Sequence, residues 1–252
     1  MTKRSLFFAA MLVPSCAAGA RAAHARVLFL GNSFTYVNDL PGTLRLLAAS
    51  RGDAVEAKSS TAGGWGFAEH AGDPATPGKI GAEPWDFVVL QEQSQRASFR
   101  DEQVESGSMR YAVQLADMVR AARKDSRVIV YGTWAPRDGD AANCKPLPEL
   151  CTYGGAQERL DASLAWIARR VAASLAPAGT AWRAVRAAHP GIDLYGGDGK
   201  HPSPAGTYLA ACVFYGAIFG KPSAGAAPVG VDPATARILQ DAADLASAAV
   251  RY

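Results

Sequence analysis

The chain has 252 residues, of which 49% are hydrophobic and 19% charged, with a formal net charge of +3. This composition excludes a disordered chain and favours one large α/β domain with a full core. Lys3, Arg4 and Arg21 account for the positive charge: without residues 1–25 the 26 basic residues fall to 23, which balance 23 acidic ones. The sequence therefore predicts no nucleic-acid partner, which would require a basic stripe.

The first 25 residues have the pattern of a secretory signal peptide. A basic start at residues 2–4 precedes an apolar run over 6–13 that is too short to span a membrane. Ala23-His24-Ala25 is a small-x-small site, which predicts cleavage after Ala25 and a mature domain at 26–252 without a transmembrane segment. We expect export to the periplasm or the medium. Tethering through Cys16, in a loosely lipoprotein-like Val13-Pro14-Ser15-Cys16, is the less favoured alternative.

The first predicted strand, at 26–30, is an apolar run typical of a buried strand in a parallel sheet. It breaks at Gly31-Asn32, and a helix is predicted over 41–51. Ser33 therefore follows the carboxyl end of a strand, where open α/β sheets place their chemistry. The helix N-terminus beyond it suits developing negative charge. Taken alone, however, Ser33 is better explained as a helix cap or turn residue, because serine is common at caps.

Strands and helices then alternate to the end of the chain. Further strands are predicted at 54–58, 85–90 and 127–131, with a weak one near 175–178. Helices are predicted at 102–124, 155–173, 180–189, 204–219 and 232–250, and residues 72–84 are predicted to be a surface loop. This alternation predicts a three-layer α/β/α sandwich around a parallel sheet. Right-handed crossovers would bring the loops after the strands to one rim.

Three cysteines remain after residue 25. Cys144 and Cys151 lie seven residues apart in a proline-containing loop, which in an exported protein predicts a disulfide. A pair of zinc ligands is the alternative, but no nearby histidine or cysteine completes a site. Cys212 lies in an apolar stretch and is predicted to be a buried free thiol.

A serine nucleophile requires a base, usually a histidine oriented by a carboxylate. The histidines after residue 25 are His70, His189 and His201, and His201 alone follows an aspartate, Asp198, by three residues in a glycine-rich loop. That spacing allows the carboxylate to hold one ring nitrogen while the other faces the serine. Two exposed turn residues are the alternative.

Together these motifs resemble the SGNH (GDSL-like) hydrolases. Gly31-Asn32-Ser33-Phe34-Thr35 is similar to their first block, with asparagine where aspartate is commoner, and Asp198-Gly199-Lys200-His201 is similar to their final Asp-x-x-His block. Gly63-Gly64 matches the glycine block. Residues 91–95 stand where the asparagine block is expected, and Gln91-Glu92-Gln93-Ser94 resembles a subgroup with Gln-x-x-Ser there.

The resemblance implies a flavodoxin-like, five-stranded parallel sheet in the order 2-1-3-4-5. It also implies ester hydrolysis without a metal or an organic cofactor. Ser33 would be the nucleophile, His201 the general base and acid, and Asp198 the orienting carboxylate. The oxyanion hole would combine the N–H groups of Ser33 and Gly64 with a side-chain amide.

The amide donor is where this chain departs from the family. Ungapped alignment places Gln95 at the usual asparagine, whereas strand geometry favours Gln91 or Gln93, and we predict these two. Trp65 and Trp134 would either line the pocket or pack beneath it. His70 would border the site or cap a helix, and we do not assign it a role.

The sequence thus predicts an exported serine esterase that acts on a small-molecule or glycan ester. The predicted export and the lack of a long apolar lid favour a small acyl group. A non-catalytic carbohydrate-binding or envelope module on the same fold is the alternative. A nucleotide or flavin site is less well supported, because Gly31-Asn32-Ser33-Phe34-Thr35 lacks the phosphate-binding glycine pattern. The oligomeric state is not predicted.

Overall fold

The structure is a computed structural model that describes residues 23–250. Five strands form one parallel sheet: β1 His24–Gly31, β2 Ala54–Thr61, β3 Phe87–Leu90, β4 Arg127–Tyr131 and β5 Ser174–Ala176. Their order is β2-β1-β3-β4-β5. Every neighbouring pair is parallel. The predicted sandwich and strand order are confirmed.

Eleven α-helices accompany the strands among the described residues. They are α1 Ser33–Tyr36, α2 Leu40–Ser50, α3 Phe67–Gly72, α4 Thr76–Gly81, α5 Ser94–Ala97, α6 Asp101–Val104, α7 Arg110–Ala122, α8 Tyr153–Arg170, α9 Ala178–Ala188, α10 Pro204–Phe219 and α11 Pro233–Ala249. A π-helical turn, Glu105–Met109, joins α6 to α7, and a 3-10 turn covers Pro148–Cys151. No helix between residues 23 and 250 has both the length and the apolarity needed to cross a membrane.

Alternation along the strands builds a core on each face of the sheet. Phe29 and Val89 face one core, where α2, α9, α10 and α11 contribute buried side chains. Leu30 and Leu90 face the other, which α3, α4, α7 and α8 cover. These central strands are buried on both faces, which explains why they are almost continuously apolar in sequence.

Two predicted segments differ from the structure. The predicted surface loop at 72–84 contains α4, a short helix with few buried side chains, among them Thr76 and Ile80. So short an element carries too little periodicity to be recognised. The predicted helix at 102–124 is interrupted by the π-helical turn, which buries Ser108 and Met109.

The boundary predicted after Ala25 falls within strand β1. Residues 1–22, with most of the predicted signal peptide and Cys16, lie outside the described residues. Strand β1 already includes His24 and Ala25, which pair with Ala54 and Val55, and Ala25 is buried. Cleavage after Ala25 would therefore remove two residues of β1.

The cysteine predictions agree with the structure. Cys144 and Cys151 form a disulfide, which excludes zinc ligation by this pair. Cys212 is a buried free thiol on α10, and burial raises its pKa to about 12. A thiol with so high a pKa is inert at neutral pH, as expected of a core residue.

Candidate active site

Ser33 is presented by a tight junction between β1 and α1. Asn32 is the N-cap of α1: its backbone is extended and its Oδ1 accepts a hydrogen bond from the Phe34 N–H at 3.0 Å. A side chain on Gly31 would collide with Thr35 and Gln91, so glycine is required there by close packing. Ser33 thus occupies the first position of the helix, beyond the carboxyl end of β1.

The loop before α10 brings His201 and Asp198 to this serine. His201 Nε2 lies 2.8 Å from Ser33 Oγ. His201 Nδ1 lies 2.5 Å from Asp198 Oδ2. The other oxygen, Asp198 Oδ1, accepts hydrogen bonds from the backbone N–H groups of Lys200 and His201, each at 3.0 Å. The structure therefore brings the three predicted residues together in a continuous chain.

The electrostatics of this chain set the direction of its hydrogen bonds. The hydrogen bond with His201 is the main cause that lowers the pKa of Asp198 to about 2. Asp198 is then an anion at neutral pH and can only accept, so a neutral imidazole carries its proton on Nδ1. Nε2 is left with a lone pair towards Ser33 Oγ, which is the arrangement that general-base catalysis requires.

Stacked aromatic rings support the histidine loop. Phe34 stacks on Trp134 with ring centroids 4.7 Å apart, and Trp134 stacks on Trp182 at 3.8 Å. The Trp134 Nε1–H donates to the Lys200 carbonyl at 3.0 Å. Trp134 is fully buried, and the Trp65 ring packs edge-on against His70. Of the two predicted alternatives for these tryptophans, packing is the one that the structure supports.

A cavity of about 340 Å³ opens at the serine. Its lining includes Ser33, His201, Gly64, Gln93, Gln95 and the exposed ring of Tyr36. A larger cavity, of about 540 Å³, lies beside β5 and the ends of α8 and α10. No histidine or carboxylate of the described residues lines it, so it lacks the groups of the serine site.

The cavity also contains candidate oxyanion donors. Gly64 has φ = +74°, a conformation that favours glycine. Within residues 23–250, the N–H groups of Ser33 and Gly64 have no hydrogen-bond acceptor. Gln93 reaches the cavity with its side chain: Oε1 accepts from the Arg96 N–H at 3.1 Å, and Nε2 donates to Gln95 Oε1 at 3.0 Å.

Comparisons with solved structures identify the family. One solved structure is that of a Slackia heliotrinireducens protein assigned to the SGNH hydrolases, which is 30% identical to this chain. The two superpose with a TM-score of 0.64, over 77% of this chain and 99% of that one. The chain belongs to the SGNH hydrolases. No family model matches it, and no curated protein does.

Two more distant structures share the SGNH fold of this chain. One is a DUF4886 family protein from Bacteroides uniformis, 19% identical, with a TM-score of 0.75 over 88% of this chain and 94% of that one. The other is an acetylxylan esterase from Geobacillus stearothermophilus, solved as a catalytic mutant, 16% identical, with a TM-score of 0.52 over 78% and 95%.

Gln91 does not take the position predicted for it in this SGNH hydrolase. It is buried, and its Oε1 accepts from the Asn32 N–H at 3.2 Å and from Thr35 Oγ1 at 2.6 Å. Its Nε2 donates to Asn32 Oδ1. The side chain is therefore directed at the serine junction rather than at the cavity, and we correct its role from oxyanion donor to support of Asn32.

Glu92 is a buried residue of this SGNH site that the sequence argument missed. Its Oε1 accepts from the Gln93 N–H at 2.7 Å and from the Phe67 N–H at 3.3 Å, so it joins the loop after β3 to the start of α3. The Ser108 hydroxyl, also buried, interacts with the same carboxyl and partly offsets the effect of burial on its pKa. Burial raises the pKa of Glu92 to about 7. A glutamate directly after a buried strand was the available signal.

His70 lies beneath the same junction. It is fully buried on α3, and its Nε2 is 2.9 Å from the Gly31 carbonyl oxygen. Burial is the main cause that lowers its pKa. A neutral ring that donates to Gly31 supports the end of β1, which agrees with neither of the two roles considered from sequence.

The raised pKa of Glu92 predicts a pH-dependent stability. Between pH 4.5 and about 7 the folded protein holds a proton on Glu92 that the unfolded chain releases, so the free energy of unfolding should fall as pH rises, by about 3 kcal/mol. Glu92→Gln keeps a carbonyl acceptor and cannot ionise. We therefore expect the free energy of unfolding of the variant, minus that of wild type, to increase from pH 5 to pH 8.

Urea unfolding at both pH values measures this difference. Glu102→Gln, which changes an exposed glutamate on α6, is the matched control and should follow wild type at each pH. Parallel pH profiles for wild type and Glu92→Gln would show that Glu92 is ionised to the same extent in the folded and unfolded chains.

Proposed function

We propose that this SGNH hydrolase is an exported serine esterase that removes small acyl groups by a Ser33–His201–Asp198 triad. The observation that carries the proposal is the continuous hydrogen-bonded chain from Asp198 through His201 to Ser33 Oγ at the floor of an open cavity. The alternatives, in which Ser33 is only a helix cap and Asp198 and His201 are only exposed turn residues, do not explain why His201 lies between the serine and the carboxylate.

The proposed reaction has two steps. His201 Nε2 takes the proton of Ser33 Oγ as the oxygen bonds to the acyl carbon, and the same proton passes to the leaving alkoxide when the ester bond breaks. Water then attacks the acyl-serine, with His201 again accepting and returning a proton. The oxyanion of each tetrahedral intermediate would be bound by the N–H groups of Ser33 and Gly64 and by the Gln93 amide.

The shape and lining of the cavity support a small acyl group on a polyhydroxylated alcohol. A cavity of about 340 Å³ that opens to solvent limits the acyl chain. Around it stand the amides of Gln93 and Gln95, the Lys200 side chain and the ring of Tyr36, which is 48% exposed. The Gln95 amide and the Lys200 ammonium group could bond hydroxyls, and an exposed ring that stacks on a sugar face would suit an ester on a glycan.

Export rests on two observations. Residues 1–25 have the composition of a secretory signal peptide, and the Cys144–Cys151 disulfide is compatible with an oxidising compartment. A lipid anchor on Cys16 remains the alternative to a free exported protein. The mass of the protein recovered from a cell that exports it distinguishes the two.

Covalent labelling tests the enzymatic proposal against a binding module. A fluorophosphonate should modify the protein once, with the adduct on the peptide that contains Ser33, and p-nitrophenyl acetate should be hydrolysed. Prior treatment with the fluorophosphonate should abolish that hydrolysis. A folded protein that takes no label and gives no p-nitrophenol above the buffer rate would instead be a non-catalytic module on this fold.

A further inference from the structure

A row of amide and carboxylate side chains runs from the cavity into the segment between β4 and α8, which carries the Cys144–Cys151 disulfide and which we call the disulfide loop. Gln93 Nε2 donates to Gln95 Oε1 at 3.0 Å, and Gln95 Nε2 donates to Asp140 Oδ2 at 3.1 Å. Asn143 Nδ2 donates to the same Asp140 oxygen at 2.7 Å. We call Gln93, Gln95 and Asp140 the amide relay.

The two ends of the amide relay fix its direction. Asp140 is a carboxylate, which can only accept, so Gln95 must turn its NH2 group towards it and its carbonyl oxygen towards Gln93. At the other end the Arg96 backbone N–H can only donate, and it donates to Gln93 Oε1. Both contacts require the same orientation of the Gln93 amide. A glutamine without such partners can rotate its amide by 180° at little cost.

Asp140 is well suited to hold its end of the amide relay in place, because it is buried and its backbone is hydrogen-bonded. It is 5% exposed. Its backbone N–H donates to the Leu150 carbonyl at 2.7 Å, and its carbonyl accepts from the Asn143 N–H at 3.1 Å. Leu150 is fully buried and lies next to the disulfide at Cys151. The backbone of Asp140 is therefore fixed within the disulfide loop, and the Asn143 side chain holds its carboxylate.

We propose that Asp140 is a positioning residue that acts through Gln95 to aim the Gln93 NH2 group at the oxyanion. One Gln93 amide hydrogen is bonded to Gln95 Oε1, which leaves the second available on the wall that also carries Ser33 and Gly64. With the amide reversed, an oxygen would face the developing negative charge. The inference rests on the proposed esterase function for its catalytic consequence, whereas the orientation of Gln93 is a property of the folded protein alone.

A double-mutant cycle tests the catalytic part. Gln93→Ala should lower kcat for p-nitrophenyl acetate by about 10²-fold, as for loss of one oxyanion donor. Gln95→Leu and Asp140→Ala should each lower kcat by about 10-fold with KM little changed, and neither should cause a further loss in the Gln93→Ala background. Asp140→Asn keeps an acceptor oxygen and should restore most of the activity. Gln114→Leu, an exposed glutamine on α7, is the matched control and should have wild-type kcat.

Losses that multiply in the Gln93→Ala background would overturn the relay, because they would show that Gln95 and Asp140 act independently of Gln93. A second readout does not depend on activity: the two side-chain NH2 signals of Gln93 in a ¹H–¹⁵N spectrum. They should shift in Gln95→Leu and Asp140→Ala and stay in place in Gln114→Leu. Unchanged signals would refute the proposed orientation, and a wild type without esterase activity would refute the proposed function separately.

Discussion

Replacing Ser33 by alanine is expected to lower kcat/KM for p-nitrophenyl acetate by at least about 10³-fold. The reason is that Ser33 Oγ is the atom 2.8 Å from His201 Nε2, and no other hydroxyl within residues 23–250 is hydrogen-bonded to that imidazole. The remaining rate would come from water acting in a cavity that still has its N–H donors. Initial rates at several substrate concentrations give the comparison, and melting curves show that the variant is folded.

Ser94→Ala is the matched control for this measurement. Ser94 lines the same cavity on α5, but no hydrogen bond joins it to His201 in the described part of the chain. We expect its kcat/KM to lie within about threefold of wild type. If the rate of Ser33→Ala equals that of wild type, the hydrolysis proceeds without this serine and the triad is wrong.

Replacing Asp198 by asparagine is expected to lower kcat by about 10²–10³-fold with little change in KM. An asparagine amide next to Nδ1 would favour the tautomer protonated on Nε2, which cannot take the serine proton. The effect should be smaller than at a buried triad carboxylate, because the Asp198 side chain is 47% exposed and water can replace part of its hydrogen bond.

Asp193→Asn provides the comparison for Asp198. Asp193 belongs to the same stretch of chain, but its carboxylate pairs with Arg137 at 2.9 Å and does not contact His201. Its kcat should stay near that of wild type. Equal losses for the two variants would show that the loop needs negative charge in general, whereas an unaffected Asp198→Asn would remove Asp198 from the mechanism.

The sheet could be predicted because its strands are buried on both faces and are therefore apolar runs, as in 87–90 and 127–131. Their order came from the family resemblance rather than from any property of the single strands. The segments that the sequence did not reveal are those whose conformation depends on distant partners. Helix α4 is stabilised by the hydrogen bond from Lys79 Nζ to Ser60 Oγ at 2.9 Å and by burial of Ile80, and Met109 of the π-helical turn packs into the core on that face of the sheet.

The same distinction applies to the candidate site. Ser33, Asp198 and His201 occur in short motifs with fixed spacing, so their residue types and positions are visible in sequence. Gln91 and Gln93 are equivalent by type, and what separates them is the space left by Gly31, which lets the Gln91 side chain pack against Asn32. No local sequence pattern indicates that Gly31 leaves space for a side chain from the end of another strand. The position of Glu92 directly after a buried strand is visible in sequence, but its role depends on the distant Phe67 N–H.

The serine and the histidine are 168 positions apart in the chain. They are brought together by the folded domain, so an unfolded polypeptide has neither a base for the serine nor a cavity for the ester. Under the proposed export, a precursor kept unfolded for translocation would consequently be unable to attack esters in the compartment where it is made. Recovery of hydrolysis after dilution from denaturant would report the docking of these two distant segments, a contact with a large loop-closure cost.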